Sequence, residues 1–254
     1  MSNTTRIALV TGGSRGLGKD MAIRLAEKGL DVILTYNQRA DDAQAVVQRI
    51  EAAGRKAAAL QLNTGNIRDF GDFADRLKQV LKEHFDADRF DFLINNAGQG
   101  GYQPISEVTE AFFDDLLNVH FKGVYFLTQR LLPLMNDGGS IVNISSGLTR
   151  TSFPGSSVYA SLKTAVETFT RYLAKEYGSR GIRANIVAPG AIMTDFGGGR
   201  LRNSPDLQKN IAAITALGRP GVAEDIGGVV AFLCTDDARW VNGQRIEASG
   251  GMNV

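Results

Sequence analysis

A single doubly wound α/β domain, with about seven parallel strands and helices on both faces, is the fold class this sequence predicts. Three observations carry it. Short β-rich apolar runs alternate with longer helical patterns from end to end. The short runs are apolar on both faces, as strands buried in a parallel sheet must be. No composition shift, Pro/Ser-rich linker or repeat interrupts the series, so residues 1–254 read as one domain.

The elements follow in order. Ile7-Ala8-Leu9-Val10 is the first strand, and Leu17, Met21 and Leu25 then recur at helical spacing until Gly29. Val32-Ile33-Leu34 precedes a helix over about 40–53, stopped by Gly54. A run at 57–62 leads to a helix near 68–84, and Phe92-Leu93-Ile94 to a long helix near 110–134. Ile141 to Ile144 precedes a helix near 157–177. Ala184 to Val187 is the sixth strand, followed by a helix near 223–233 and a seventh strand at Gln244 to Ala248. In such sheets ligands bind beyond the carboxyl ends of the strands. The residues that matter therefore follow Val10, Leu34, Leu62, Ile94, Ile144 and Val187.

Composition narrows the classes. Lys+Arg 28 against Asp+Glu 27 leaves a net charge of +1, so no basic field is laid out for nucleic acid or acidic lipid. Cys234 is the only cysteine, which excludes an internal disulfide and a cysteine-cluster metal site. With only His84 and His120, no metal centre is expected. The apolar run after Arg6 is too short for a signal-peptide core, and no stretch is long enough to span a bilayer, so a cytoplasmic location is expected. Glycine is in excess at 29 residues, and the excess is local, at 12–18, 98–101, 197–199 and 250–251.

Thr11-Gly12-Gly13-Ser14-Arg15-Gly16-Leu17-Gly18 lies between the first strand and first helix. Glycines let backbone approach a pyrophosphate, and the helix start offers free N–H groups and positive potential. The Gly-Lys-Ser/Thr of a nucleotide-hydrolysing loop is absent. After the second strand come Tyr36, Asn37, Gln38 and Arg39, with no carboxylate before Asp41. A carboxylate there would hold the ribose 2′-hydroxyl of NAD. Arg15 and Arg39 instead offer forked donors for a 2′-phosphate, which points to NADPH over NADH.

Further segments line up in order. Asn95-Asn96-Ala97-Gly98 follows the fourth strand, Asn118 lies on the following helix, Ser145-Ser146 ends the fifth strand, and Tyr159-Ala160-Ser161-Leu162-Lys163 gives a Tyr-x-x-x-Lys pattern. Pro189-Gly190 and Thr194-Asp195-Phe196 follow the sixth strand. Gly218-Arg219-Pro220, Glu224-Asp225-Ile226 and Gly250-Gly251 complete the set. Together they resemble the short-chain dehydrogenase/reductase family over essentially the whole chain, in particular its 3-oxoacyl-[acyl-carrier-protein] reductase and glucose dehydrogenase-like members.

That resemblance implies a Rossmann-type domain that moves hydride between NADP(H) and a carbonyl or secondary alcohol. It implies a catalytic tetrad of Asn118, Ser146, Tyr159 and Lys163, Ser146 being the serine thirteen positions before the tyrosine. Tyr159 would be the acid, Ser146 would bind the substrate oxygen, Lys163 would hold the nicotinamide ribose, and Asn118 would hold a water. Tyr159 and Lys163 at i, i+4 share a helix face. An ammonium about 4 Å from a phenolate is worth roughly 4 kcal/mol at an effective dielectric near 20, enough to draw the phenol toward neutrality.

The same resemblance assigns cofactor contacts to Gly12, Ser14, Arg15, Gly16, Leu17, Gly18, Tyr36, Asn37, Arg39, Asn95, Ala97, Gly98, Pro189, Gly190, Ile192 and Thr194, besides Tyr159 and Lys163. Asn63-Thr64 stands where the family commonly has an acid followed by an apolar residue, and the Asn63 amide oxygen can still accept from adenine. Structural readings stay open beside these: Asn95 as a strand brace, Thr194 as a helix cap, His120 as packing.

Gly197-Gly198-Gly199 is a natural hinge, and residues 192–215 are expected to form a substrate lid. Gln99 to Tyr102 gives a second flexible edge, and Leu148, Phe153, Met193 and Phe196 are the candidates to face substrate. The helices near 110–134 and 157–177 make subunit contacts in the family, so a homotetramer is expected. An acyl-carrier-protein partner is an open alternative, for which Arg130, Arg150, Arg171 and Arg202 form no clear cluster. So is a catalytically silent NADPH-binding regulator, although the tetrad expected here is whole.

Overall fold

The computed structural model describes residues 5–254; the start of the predicted domain, residues 1–4, lies outside the described residues. Seven strands form one sheet: β1 (Ile7–Val10), β2 (Asp31–Tyr36), β3 (Ala57–Gln61), β4 (Phe90–Asn95), β5 (Met135–Ile144), β6 (Arg183–Pro189) and β7 (Arg245–Ala248). Their order is β3-β2-β1-β4-β5-β6-β7, and every pairing is parallel. The chain order reverses between β1 and β4. A crevice opens there at the carboxyl ends of the strands, because the flanking crossovers leave on opposite faces.

Alternation along β1 shows the two layers. Ala8 and Val10 pack with helix α1 (Gly16–Glu27), α2 (Ala40–Ala52) and, further along, α8 (Glu224–Leu233). Ile7 and Leu9 face α3 (Phe70–Phe85), α5 (Gly123–Leu131) and α6 (Ser157–Glu176). Successive strand residues point to opposite faces, so burying both sets gives the continuous apolar runs seen in the sequence.

Two departures from the expected elements bear on function. The helix expected over 110–134 is broken: α4 (Glu110–Leu117) runs into a π turn at Asn118–Lys122 before α5 begins. Such turns insert a residue into the helical ladder and occur often at functional sites. The region 192–215 contains a helix the sequence reading left out, α7 (Pro205–Ala213). Its start is marked by Ser204, whose side chain accepts from the Leu207 N–H, and by Pro205 in the first turn. Among the described residues no helix is long and apolar enough to cross a membrane, and no group of acidic, histidine or cysteine side chains is arranged to hold a metal.

Candidate active site

A cleft of about 650 Å³ lies beyond the ends of β1, β2, β4, β5 and β6. One end is built almost wholly from backbone. Thr11 Oγ1 donates to the Ile94 carbonyl and accepts from the N–H groups of Asn96 and Ala97. The Asn96 amide donates back to the carbonyls of Thr11 and Gly12. These bonds lock the glycine turn to the loop after β4. Gly16 has φ +54°, a conformation open to glycine at little cost, and it starts α1, whose first residues Gly16, Leu17 and Gly18 line the cleft.

Gly12, Ser14, Arg15, Gly16, Leu17 and Gly18 all line this end, with Tyr36, Asn37, Arg39, Asn63, Thr64, Ala97 and Gly98. Asn63 Oδ1 accepts from the Gly65 N–H, which leaves a second lone pair. Arg15 and Arg39 flank the cleft and are about half exposed; Arg39 is paired with Asp42 at 3.2 Å, and Arg15 is 4.0 Å from Asp195. Pro189, Gly190, Ile192 and Thr194 continue the lining beyond β6. Thr194 Oγ1 also accepts from the Phe196 N–H, so it caps the turn as well as facing the cleft.

Two expected contacts are corrected. Asn95 does not reach the cleft: its amide donates to Thr128 Oγ1 at 3.0 Å and Asn143 Oδ1 at 2.7 Å, bracing β4 against β5 and α5. As the last residue of β4 it points into the buried layer rather than over the strand end. Met193 is likewise absent from the lining, whereas Leu148, Phe153 and Phe196 belong to it.

At the centre stand Ser146, Tyr159 and Lys163. Ser146, two residues past the end of β5, accepts from the Leu148 N–H at 3.2 Å, and its hydroxyl lies close enough to Tyr159 to act on the phenol. Lys163, only 4% exposed, donates to the Ile144 carbonyl at 2.8 Å, and its Nζ lies 5.7 Å from the centre of the Tyr159 ring. The expected acidified phenol is not what this geometry produces. Burial pushes Tyr159 up to about 12 against the downward pull of Ser146, and burial lowers Lys163 to about 8. The amine sits beside the ring and bonds a carbonyl, so its charge does not offset the lost hydration of the phenol.

Asn118 is not brought to the cleft. It opens the π turn, while Val119 and His120 line the cleft instead. His120 is fully buried, its ring edge-on to Tyr159 with centroids 4.9 Å apart.

A polar cluster that sequence reasoning missed supports Ser146 from behind. Glu167 Oε1 accepts from Ser145 Oγ at 2.7 Å, Thr149 Oγ1 at 2.9 Å and Arg245 Nε at 2.8 Å. Arg245 also donates to the Ser146 carbonyl and to Glu247. Ser145 therefore points away from the cleft centre to tie β5 to α6, in keeping with strand alternation. Only the i, i+8 spacing of Tyr159 and Glu167 hinted at this, and Arg245 lies too far along the chain to be paired with it by pattern.

The comparisons with known proteins agree with this architecture. A family model described as Enoyl-(Acyl carrier protein) reductase matches residues 12–253. This chain belongs to the short-chain dehydrogenase/reductase family. It is 36% identical over 257 residues to a hydroxynaphthalene reductase-like protein Arp2 of Metarhizium brunneum, covering 97% of this chain and 94% of that one. A solved structure of the promiscuous reductase LugOII, which catalyses keto-reduction at C1 during lugdunomycin biosynthesis, superposes with a TM-score of 0.93 at 38% identity over all of both chains. The angucycline C-6 ketoreductase LanV with bound NADP gives a TM-score of 0.93 at 37% identity, covering 99% of this chain and 97% of that one. As a member of the family the protein is an oxidoreductase.

Proposed function

We propose that this protein is an NADPH-dependent ketoreductase that converts a ring-borne ketone of a polycyclic, polyketide-like substrate to the secondary alcohol. The observation that carries the chemistry is the convergence of Ser146, Tyr159 and Lys163 at one point of a glycine-walled cleft. The cleft fits a dinucleotide. The start of α1, which lines the cleft, offers backbone N–H groups to a diphosphate, and Arg15 and Arg39 stand free enough to turn onto a 2′-phosphate. The complexes of LanV with NADP support the same cofactor here. When bound, the reduced nicotinamide supplies the hydride.

The chain's own residues supply the rest. Ser146 Oγ binds the carbonyl oxygen and steadies the charge that grows on it. Tyr159, protonated throughout the neutral range because burial holds its pKa near 12, gives its proton to that oxygen. The Lys163 amine, still largely charged at pH 7 with a pKa near 8, stabilises the phenolate left behind. The reverse reaction uses the same groups.

The substrate class rests on the other end of the cleft. Tyr102, Phe153 and Phe196 are about half exposed on its rim, and the Phe196 ring centre is 5.9 Å from that of Tyr159. Flat aromatic surfaces beside the acid suit a fused-ring substrate, in line with the naphthalene in the name of the hydroxynaphthalene reductase-like relative and with the keto-reductions named for LugOII and LanV. Two of the arginines considered for a carrier protein are engaged elsewhere, Arg150 with Glu247 and Arg202 with Asp195. We also assign a homotetramer, supported by the exposed Tyr125, Phe126 and Tyr172 on α5 and α6, and a reducing compartment, consistent with a lone buried Cys234.

The test is NADPH oxidation with a panel of fused-ring ketones, simple ketones and acyl thioesters. Turnover is expected to favour the fused-ring ketones and to be lost in Tyr159→Phe while NADPH still binds. Preference for thioesters would overturn the substrate class, and full activity in Y159F would overturn the acid.

A further inference from the structure

His120 is a buried titratable group in the wall of the cleft that the reaction scheme above leaves without a task. Its place follows from the helix geometry. Two residues along a helix is about 200° of rotation, so Asn118 and His120 leave the chain on nearly opposite sides. At the π turn it is His120 that faces inward, onto Tyr159.

Its ring nitrogens are in different situations. Nε2 lies 2.8 Å from the Gln99 carbonyl oxygen, which can only accept, so that nitrogen carries the proton and donates. The 3.4 Å approach of the Gln99 N–H to the same atom is the weaker contact and yields to it. Burial, then the charge of Lys163, hold the imidazole down at about 3, so the ring is neutral across the working range. Nδ1 is therefore a bare acceptor, and it is buried without a partner.

Lys163 presents the complementary imbalance. Its ammonium has three N–H donors, and the Ile144 carbonyl takes one of them. An acceptor without a donor and an amine with donors to spare in one cleft wall call for a small molecule that does both, and water is the one always at hand. The Asn118 side chain offers nothing comparable to the cleft.

We propose that His120, not Asn118, is the fourth member of the site. It is a positioning residue: its edge holds the Tyr159 ring, and its Nδ1 accepts from a water that in turn accepts from Lys163 Nζ, so that phenol and amine keep one geometry through the proton transfer. The inference rests on the ketoreductase reading, and it departs from the asparagine that the family resemblance implies.

The experiment compares H120F, H120N and N118A for ketone turnover, ketone KM and NADPH affinity by fluorescence titration. His120→Phe keeps the ring but removes both polar atoms, and is expected to lower kcat about tenfold or more, the scale of lost proton-transfer positioning. KM and NADPH affinity should stay within about twofold, the mark of a step-specific loss. H120N, which supplies a donor and an acceptor at similar reach, should keep most of the turnover, and N118A all of it. Unchanged kcat in H120F, or a loss in N118A that exceeds it, overturns the proposal. If H120F does not fold, H120N decides: retained kcat supports the role, and a collapse of kcat with NADPH affinity intact overturns it. A wild-type protein that binds NADPH and reduces no ketone refutes the ketoreductase reading itself, and the role of His120 with it.

Discussion

The two ends of the cleft are made of different material. The dinucleotide end is backbone fastened to backbone through Thr11 and Asn96, with Gly12, Gly13 and Gly18 where a Cβ would collide. The substrate end is side chains and left-handed glycines: Gly197, Gly198 and Gly199 have φ of +60°, +74° and +71°, and the aromatic residues around them stand in solvent. One end is fixed by steric necessity, and the other can be rebuilt without disturbing the sheet. The difference teaches where change is tolerated, and substitutions at each end should separate the two.

The largest effect is expected at the rigid end. A Cβ on Gly18 would lie 2.1 Å from the Gly12 carbonyl oxygen and 2.5 Å from the Asn96 amide nitrogen, and the backbone atom cannot turn aside. Gly18→Ala should therefore cost at least 1–3 kcal/mol, roughly the range for overpacked sites, and disable NADPH binding together with folding. A melting curve and a fluorescence titration read both. A variant that melts like the parent would show the turn to be less constrained than its geometry indicates.

Cofactor choice should respond less, because its residues are exposed side chains grafted on that rigid frame. Arg15→Ala and Arg39→Ala are each expected to lower the NADPH/NADH ratio of kcat/KM about tenfold, which is ~1.4 kcal/mol. Stability should hardly change, since the ion pairs they leave behind are surface pairs worth little. An unaltered ratio in both variants would remove them from the phosphate site.

This contrast also explains what could be read from the sequence. The strand ends, the glycine turn, and the convergence of Ser146, Tyr159 and Lys163 depend on local spacing: an alternating strand, a helix start, an i, i+4 pair. Such patterns survive in one dimension. The π turn does not, because one inserted residue leaves helical periodicity nearly intact while rotating the residues around it, and it is Val119 and His120 rather than Asn118 that line the cleft. The Glu167–Arg245 pair joins residues from α6 and β7, and only the folded sheet brings them within 2.8 Å. The Tyr159 phenol moves opposite to the sequence-based expectation because burial, which spacing cannot register, outweighs its neighbours. Helix α7 was legible in principle from Ser204-Pro205, but the polar, glycine-led stretch before it reads as loop.

The smallest effect on stability should come from the flexible end, with the effect on turnover the larger of the two. Nothing lies within 4 Å of a Cβ placed on Gly197 or Gly198, so substitution there meets no steric obstacle and only the left-handed backbone resists it. For alanine that resistance is about 1 kcal/mol per residue. The same segment closes the rim, however. A Cβ on Gly100 would lie 2.5 Å from Gly197 Cα, and Arg200 lies 5.3 Å from the centre of the Tyr102 ring, so residues 197–200 and the loop after β4 are in contact across the mouth. Stiffening residues 197–198 with alanines should alter the population of that closed contact, and with it substrate entry and product release. The expected outcome is a severalfold change in kcat or KM beside a melting temperature only a few degrees lower. If instead the variant melts far earlier and turns over normally, the glycines serve the fold, and the contrast between the two ends of the cleft is lost.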